Sequence, residues 1–306
     1  MAYVMNYALD ALWWRLRDPD VRALASILTA PALWQHAQAL PIRTLLGEHG
    51  FRYLLALDNQ PEPLHHALAQ SFPHQYRLGF YAESLLHFWL SHAPHCRLLA
   101  HNLQLIDEQQ QTLGALDFVA HIGQTLYHVE LCCKYYGGAN MVGFNQQDQL
   151  SKKATKLQQQ LAWSQHPLAQ EKLRALGIET HHLHTASIIR GTAFLAPEVP
   201  LPLPLNPYCW QGHYVQDWAD YPLNPQGHYH IFRKMRYLAP ARVAEAQCHT
   251  ASEVAALEQG MVAVLEQRPD GYWHEVARIM KVSPEHKQLT MPLGVKVLEG
   301  IGEGWR

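Results

Sequence analysis

A chain of 306 residues, 48% hydrophobic and 16% charged, can bury one large core or two medium ones, which excludes a disordered protein. Its 26 acidic residues against 24 basic ones give a formal charge of −2 and exclude a broad basic field, so a nucleic-acid partner would need a local patch. The five cysteines contain no CxxC pair, only the adjacent Cys132 and Cys133, and no apolar run reaches bilayer length, so we expect a cytoplasmic protein with no membrane partner.

Near the start, Leu9, Leu12, Trp13 and Leu16 fall at helical spacing. Asp18-Pro19-Asp20 then breaks the pattern, and Val21, Leu24, Ala25 and Leu28 resume it, predicting a pair of short helices. Pro31, Pro41, Pro61 and Pro63 cut up the stretch that follows, in which residues 51–57 fit either a strand or a helical turn. Over residues 78–90, Leu78, Tyr81, Leu85, Phe88 and Trp89 make an apolar arc, and Glu83 and His87 lie one turn apart on another stripe; Pro94 ends this helix.

Alternation over residues 97–106 predicts a strand, and residues 112–120 a second, with Leu116 and Phe118 on one face and Asp117 and Val119 on the other. Gly123 suits a hairpin into a third strand, His128-Val129-Glu130-Leu131-Cys132-Cys133-Lys134. There Tyr127, Val129, Leu131 and Cys133 share one face, and His128, Glu130, Cys132 and Lys134 the other. Unpaired charges are costly in a low-dielectric interior, so the charged face is either solvated or a site. Across the hairpin, Asp117 and Glu130 come close, and two carboxylates beside a lysine make a hard-oxygen site that suits Mg²⁺ or Mn²⁺.

A helix is predicted from Asn145 and Asp148 to about residue 163, with Leu150, Ala154, Leu157 and Leu161 inside and a polar side of Lys152, Lys153, Lys156, Gln159 and Gln160. A short helix over 169–176 and a strand over 185–195 follow. Pro197, Pro200, Pro202, Pro204 and Pro207 then mark an expected boundary. Beyond it the chain is rich in aromatics and histidines, with a helix over 252–259 and a strand over 261–266. The Pro269-Asp270-Gly271 turn leads into 272–280. His181, His182 and His184, and likewise His228 and His230, lack cysteine or acidic partners at zinc-ligand spacing, which disfavours zinc.

Helix, three strands, helix and strand, with Glu83, Asp117, Glu130 and Lys134 placed along them, resemble the PD-(D/E)XK phosphodiesterase superfamily, in a branch of uncharacterised bacterial proteins. The resemblance implies an α/β, restriction-endonuclease-like core over 77–196: helix, three-strand meander, helix, strand. A helical flank over 1–76, a proline-rich linker over 197–207 and a small α+β region over 208–306 complete the expected organisation. It further implies that Glu83, Asp117 and Glu130 surround Mg²⁺ or Mn²⁺, with Asp117, Glu130 and Lys134 as catalytic residues.

Two positions depart from the superfamily pattern. Leu116 replaces the proline before the Asp, and Cys132 stands where the lysine belongs. Period two keeps Lys134 on the Glu130 face, yet about 6.6–7 Å further along the strand. A lysine can also come from the following helix, where Lys152 is the candidate. The expected activity is metal-dependent phosphodiester hydrolysis on DNA or RNA, as an endonuclease or repair-type nuclease, with His128 and His87 available for proton transfer. The alternatives are a non-catalytic protein of the same fold that binds nucleic acid or a protein partner, and a small-molecule enzyme using His228 and His230.

Overall fold

The computed structural model describes residues 15–70, 77–196, 200–283 and 285. The helix predicted around Leu9 and Trp13 lies outside the described residues. Asp18 accepts hydrogen bonds from the Asp20 and Val21 backbone N–H groups, and Pro19 sits in the first turn, so the Asp18-Pro19-Asp20 break is the start of helix α1, Pro19–Thr29. Three short helices follow, α2 (Ile42–Leu46), α3 (Gly50–Asn59) and α4 (Glu62–Gln70). Residues 51–57 are thus helical, with Leu54 and Leu57, one turn apart, buried on the core side. Helix α5, Leu78–His92, packs against α1 and α4 to complete a helical layer. Among the described residues no helix is long and apolar enough to cross a membrane.

One mixed sheet of nine strands backs this layer. Strands β1 (Cys96–Ile106), β2 (Thr112–Ile122) and β3 (Thr125–Gly137) form an antiparallel meander. A crossover through helices α6 (Leu150–Ala162) and α7 (Pro167–Ala175) then lays β4, His184–Leu195, parallel to β3. The sheet continues through β5 (Trp210–Val215), β6 (His228–Ile231), β7 (Arg242–Val243), β8 (Gly260–Gln267) and β9 (Trp273–Lys281), in the order β1-β2-β3-β4-β5-β9-β8-β6, with β7 against β9. Five strand pairings are antiparallel and three parallel.

Alternation divides the side chains of the meander between two cores. Phe118, Ala120 and Val129 face the layer of α1 and α5. Cys132 and Tyr136 face the other way, onto Leu150, Ala154, Leu157 and Leu161 of α6. The proline-rich stretch does not end the sheet. Its described part lies along the chain after α1, where Asn206 donates from its backbone and side chain to the Leu33 and Ala32 carbonyls. Trp210 then takes its place opposite Thr192 of β4. Phe194 shares a core with Met261 and Met280, so the aromatic region is built onto β4. The helix expected over 252–259 is a single short turn, α8 (Ala251–Ala255), held by a Thr250–Glu253 capping box.

Gly191 faces Lys134 across the β3–β4 ladder at a φ of +142°, and a Cβ there would lie 1.6 Å from the Lys134 carbonyl oxygen. Gly191→Ala is therefore expected to cost about 3 kcal/mol or more, or to abolish folding. Gly123→Ala, in an open hairpin turn at a φ of +61°, is expected to cost about 1–2 kcal/mol. Urea denaturation of both variants checks the contrast.

Candidate functional site

Strands β2 and β3 pair from Ile122 and Thr125 as far as Phe118 and Val129, and there they part. Beyond that rung β2 keeps its pairing with β1, and β3 keeps its pairing with β4 as far as Gly137. Asp117 and Glu130 are the first residues past the last rung, and opposite positions of an antiparallel ladder share a face. Each carboxylate takes up a backbone donor that the parted ladder leaves open. Leu131 N–H donates to Asp117 Oδ2 at 3.0 Å, and Asp117 N–H donates to Glu130 Oε1 at 3.3 Å.

The walls of this fork come from both helical layers. Glu130 is fully buried; His128 Nε2 lies 2.8 Å from its Oε1, and Gln160 Nε2 donates to its Oε2 at 2.7 Å. Lys153 Nζ in turn donates to Gln160 Oε1 at 3.1 Å. Lys153 and Gln160 are two turns apart on α6, flanking the buried Leu157 by one turn on either side. Glu83 approaches from α5, on the opposite face of the sheet, close enough for its charge to act on Asp117 and Glu130.

Electrostatically, the fork is short of positive charge. Burial first, then Asp117 and Glu130, push the Glu83 carboxyl up to about 7. Asp117 is pushed up to about 7 by burial and then by Glu130, and Glu130 to about 7 chiefly by burial. Lys153 opposes the rise at all three. None of the three acids makes an ion pair with a lysine or arginine among the described residues. His128, fully buried, is held neutral by burial, which lowers its imidazole to about 4, and its Nδ1 has no hydrogen-bond partner among the described residues.

The fork gathers Asp117, Glu130 and, from further off, Glu83; it does not gather either expected lysine. Lys134 lies on the Glu130 face, but its Nζ donates to Asp148 Oδ2 at 2.6 Å, and Tyr136 OH donates to the other oxygen of Asp148. Lys152 is exposed to solvent. Lys153 and Gln160 are the residues sequence reasoning missed. Their positions one turn either side of Leu157, rather than opposite it, were the signal that separates them from Lys152. Cys132 is buried under α6 with its thiol raised to about 11 by burial, as a packing residue would be.

His87, His228 and His230, the other histidines that the sequence singled out for chemistry, make ring contacts. His87 meets the His101 ring edge-on, and His101 stacks on Phe118. His228 stacks on Trp273, and His230 meets His249.

Carboxylate oxygens with unanswered charge fit a hard divalent ion. The three acids of the fork nevertheless form an open set. Among the described residues, the group of three whose ligand atoms all lie within 4.8 Å of one another is Asp18, Asp20 and His65. That group already has its charge answered: Asp18 caps α1, and Asp20 accepts from Tyr81 and Arg236. It carries no sign of a metal.

A mixed α/β chain with a partly buried acidic fork is the class these features define. The DUF1853 family, a domain of unknown function, matches residues 22–282, and the chain belongs to that family. No curated protein and no solved structure matches it.

A carboxyl whose folded-state value is raised holds more protons folded than unfolded, so it subtracts stability as pH rises between the two values. For Asp117 that window runs from 3.8 to about 7. Asp117→Asn is expected to gain stability relative to the unaltered chain as pH rises from about 5 to about 8 in chelator. Thermal melts at the two pH values measure it, and a difference that does not change with pH refutes the assignment.

Proposed function

We propose that this chain is a metal-dependent phosphodiesterase acting on nucleic acid, a nuclease of the PD-(D/E)XK type that its sequence resembles. The observation that carries this is the fork itself: Asp117 and Glu130 past the last β2–β3 rung, Glu83 on α5 and Lys153 on α6, all acting on one another. The succession α5, β1, β2, β3, α6, β4, with β4 parallel to β3, agrees with a restriction-endonuclease-like core and supports the same conclusion.

In this proposal Asp117 and Glu130 hold Mg²⁺ or Mn²⁺, with Glu83 as a more distant, water-mediated partner. When bound, such an ion polarises the phosphate and lowers the pKa of a bound water. Gln160 and His128 fix the two oxygens of Glu130, so the carboxylate is oriented before any ligand arrives. Lys153, tethered through Gln160, takes the role that the superfamily gives to its lysine and offsets charge on the phosphate oxygens. Lys152 and Lys156, exposed on the same helix, supply a local basic patch for the backbone of a DNA or RNA strand. The five free cysteines suit a reducing cytoplasm.

One observation favours a second reading, a non-catalytic binder of nucleic acid or of a protein partner. Lys134 is turned to Asp148, and Cys132 occupies the usual lysine position.

Cleavage of a panel of DNA and RNA forms with Mg²⁺ or Mn²⁺ tests the proposal. Asp117→Asn and Glu130→Gln are expected to abolish turnover, Lys153→Ala to lower kcat by about 100-fold, and Lys134→Ala to leave it near the unaltered rate. Cleavage that persists in both acid variants ends the nuclease proposal. Calorimetric nucleic-acid binding without turnover or Mn²⁺ uptake selects the binder.

A further inference from the structure

A cavity of about 540 Å³ opens away from the fork between the start of α1, strand β6 and the segment that leads into β7. Its cationic lining is Arg22, Arg233, Arg236 and Arg242, beside the imidazoles of His230 and His249, with no aspartate or glutamate. In a chain of net charge −2 this is a local reversal of sign.

Ordinary ion pairing accounts for only part of it. Asp20 pairs with Arg236, and Asp270 pairs with Arg242 at 3.1 Å. Arg242 also lies over the Tyr272 ring, its guanidinium carbon 3.5 Å from the centroid, which fixes its plane. Arg22 is 3% exposed and donates to the carbonyls of Leu16 and Pro240 at 2.9 Å each, so its guanidinium is held rigidly at the wall. Burial, and then the neighbouring Arg242, lower it to about 10, against the opposing pull of Glu275, Asp58 and Asp270. Arg233 is exposed at the rim and has no carboxylate within ion-pair distance among the described residues.

Guanidiniums reaching one space from α1, from the segment after β6 and from β7 offer planar forks in several directions, an arrangement that suits a tetrahedral, multiply charged oxyanion. The volume exceeds what one phosphate ion needs, and Phe232 and Pro240 add apolar wall, so there is room for an organic group as well.

We infer that this cavity is a binding site for a phosphate monoester, with the phosphate on the arginines and its organic group against Phe232 and Pro240. The ligand is either a free nucleotide or the phosphorylated end of a nucleic-acid strand, and the site does not depend on activity at the fork.

Calorimetric titration of the full chain tests the site with pyrophosphate, adenosine monophosphate and a short oligonucleotide, with and without a 5′-phosphate. Saturable binding of the phosphorylated probes is expected. Arg233→Gln removes an exposed, unpaired charge. Gln247→Glu brings a negative charge to the lining and leaves an oxygen to accept the Ala244 N–H that caps the turn. Each is expected to weaken binding by about tenfold, the first by the loss of one charge-assisted hydrogen bond and the second by repulsion of the phosphate. Circular dichroism checks that both variants keep the fold, and Asp117→Asn is expected to bind as the unaltered chain does.

Tighter binding of the phosphorylated oligonucleotide than of adenosine monophosphate assigns a strand end, and the reverse assigns a free nucleotide; both support the site. The inference is overturned if no phosphorylated probe titrates saturably. It is also overturned if both variants bind like the unaltered chain, or if neither the oligonucleotide nor adenosine monophosphate loses affinity when its 5′-phosphate is removed.

Discussion

Two hydrogen bonds between side chain and backbone across the β2–β3 fork organise this protein: Leu131 N–H donates to the Asp117 carboxylate, and Asp117 N–H donates to the Glu130 carboxylate. A sheet that forks leaves backbone donors without a strand to pair with, and a buried donor left open costs free energy comparable to a lost hydrogen bond. Here the side chains of the two residues at the fork supply the missing acceptors, each reaching the other strand. The same bonds that let β2 and β3 part also fix two carboxylates face to face. Structure and candidate chemistry therefore share one cause, and the acids cannot be removed without disturbing the fork.

Holding those acids together has an electrostatic cost. Burial pushes the carboxyls of Glu83, Asp117 and Glu130 up to about 7, with neighbouring carboxylates adding to the rise at the first two, against the pull of Lys153 on all three and of Lys156 on Glu130. Such strain persists where the surroundings over-determine it. Here they do: Glu130 is bonded at both oxygens, the partner of one is itself bonded to Lys153, and Leu157 between Lys153 and Gln160 is fully buried. The Glu130 carboxylate is thus held in one orientation by the fold itself.

Much of this was legible in the sequence, because strand alternation and helical spacing are local properties. Leu116-Asp117-Phe118 and Val129-Glu130-Leu131 declared their faces, and α5, β1 to β4 and α7 lie where periodicity put them; α6 starts at Leu150, not at the expected Asn145 and Asp148, because Asp148 is taken up by Lys134 and Tyr136. The lysine was not legible. Period two places Lys134 on the right face, but the loop after β3 returns Asp148 to it, and no local pattern encodes that return. Lys152 and Lys153 differ by about 100° around a helix, a distinction carried only by where Leu157 points. Residues 51–57 were ambiguous because a short apolar run fits a strand or a helix; tertiary burial of Leu54 and Leu57 decides for helix. The prolines after 196 were read as a boundary because proline breaks local structure. The sheet crosses them through a long-range partner, Thr192 opposite Trp210.

That continuation gives the cationic cavity its own support. Arg278 on β9 is buried and donates to Tyr237 and Ala239 carbonyls at 2.7 and 2.8 Å, while Glu275 accepts from the Ala241 N–H at 2.7 Å. The two side chains also pair with each other, and the Phe232 ring covers the guanidinium. A buried ion pair of this kind contributes little net stability once desolvation is counted. What it does here is geometric: it pins the backbone of residues 237–241, the segment between Arg236 and Arg242, to strand β9. The acidic fork and the basic cavity thus rest on one device, buried charged side chains bonded to backbone groups that no strand or helix satisfies.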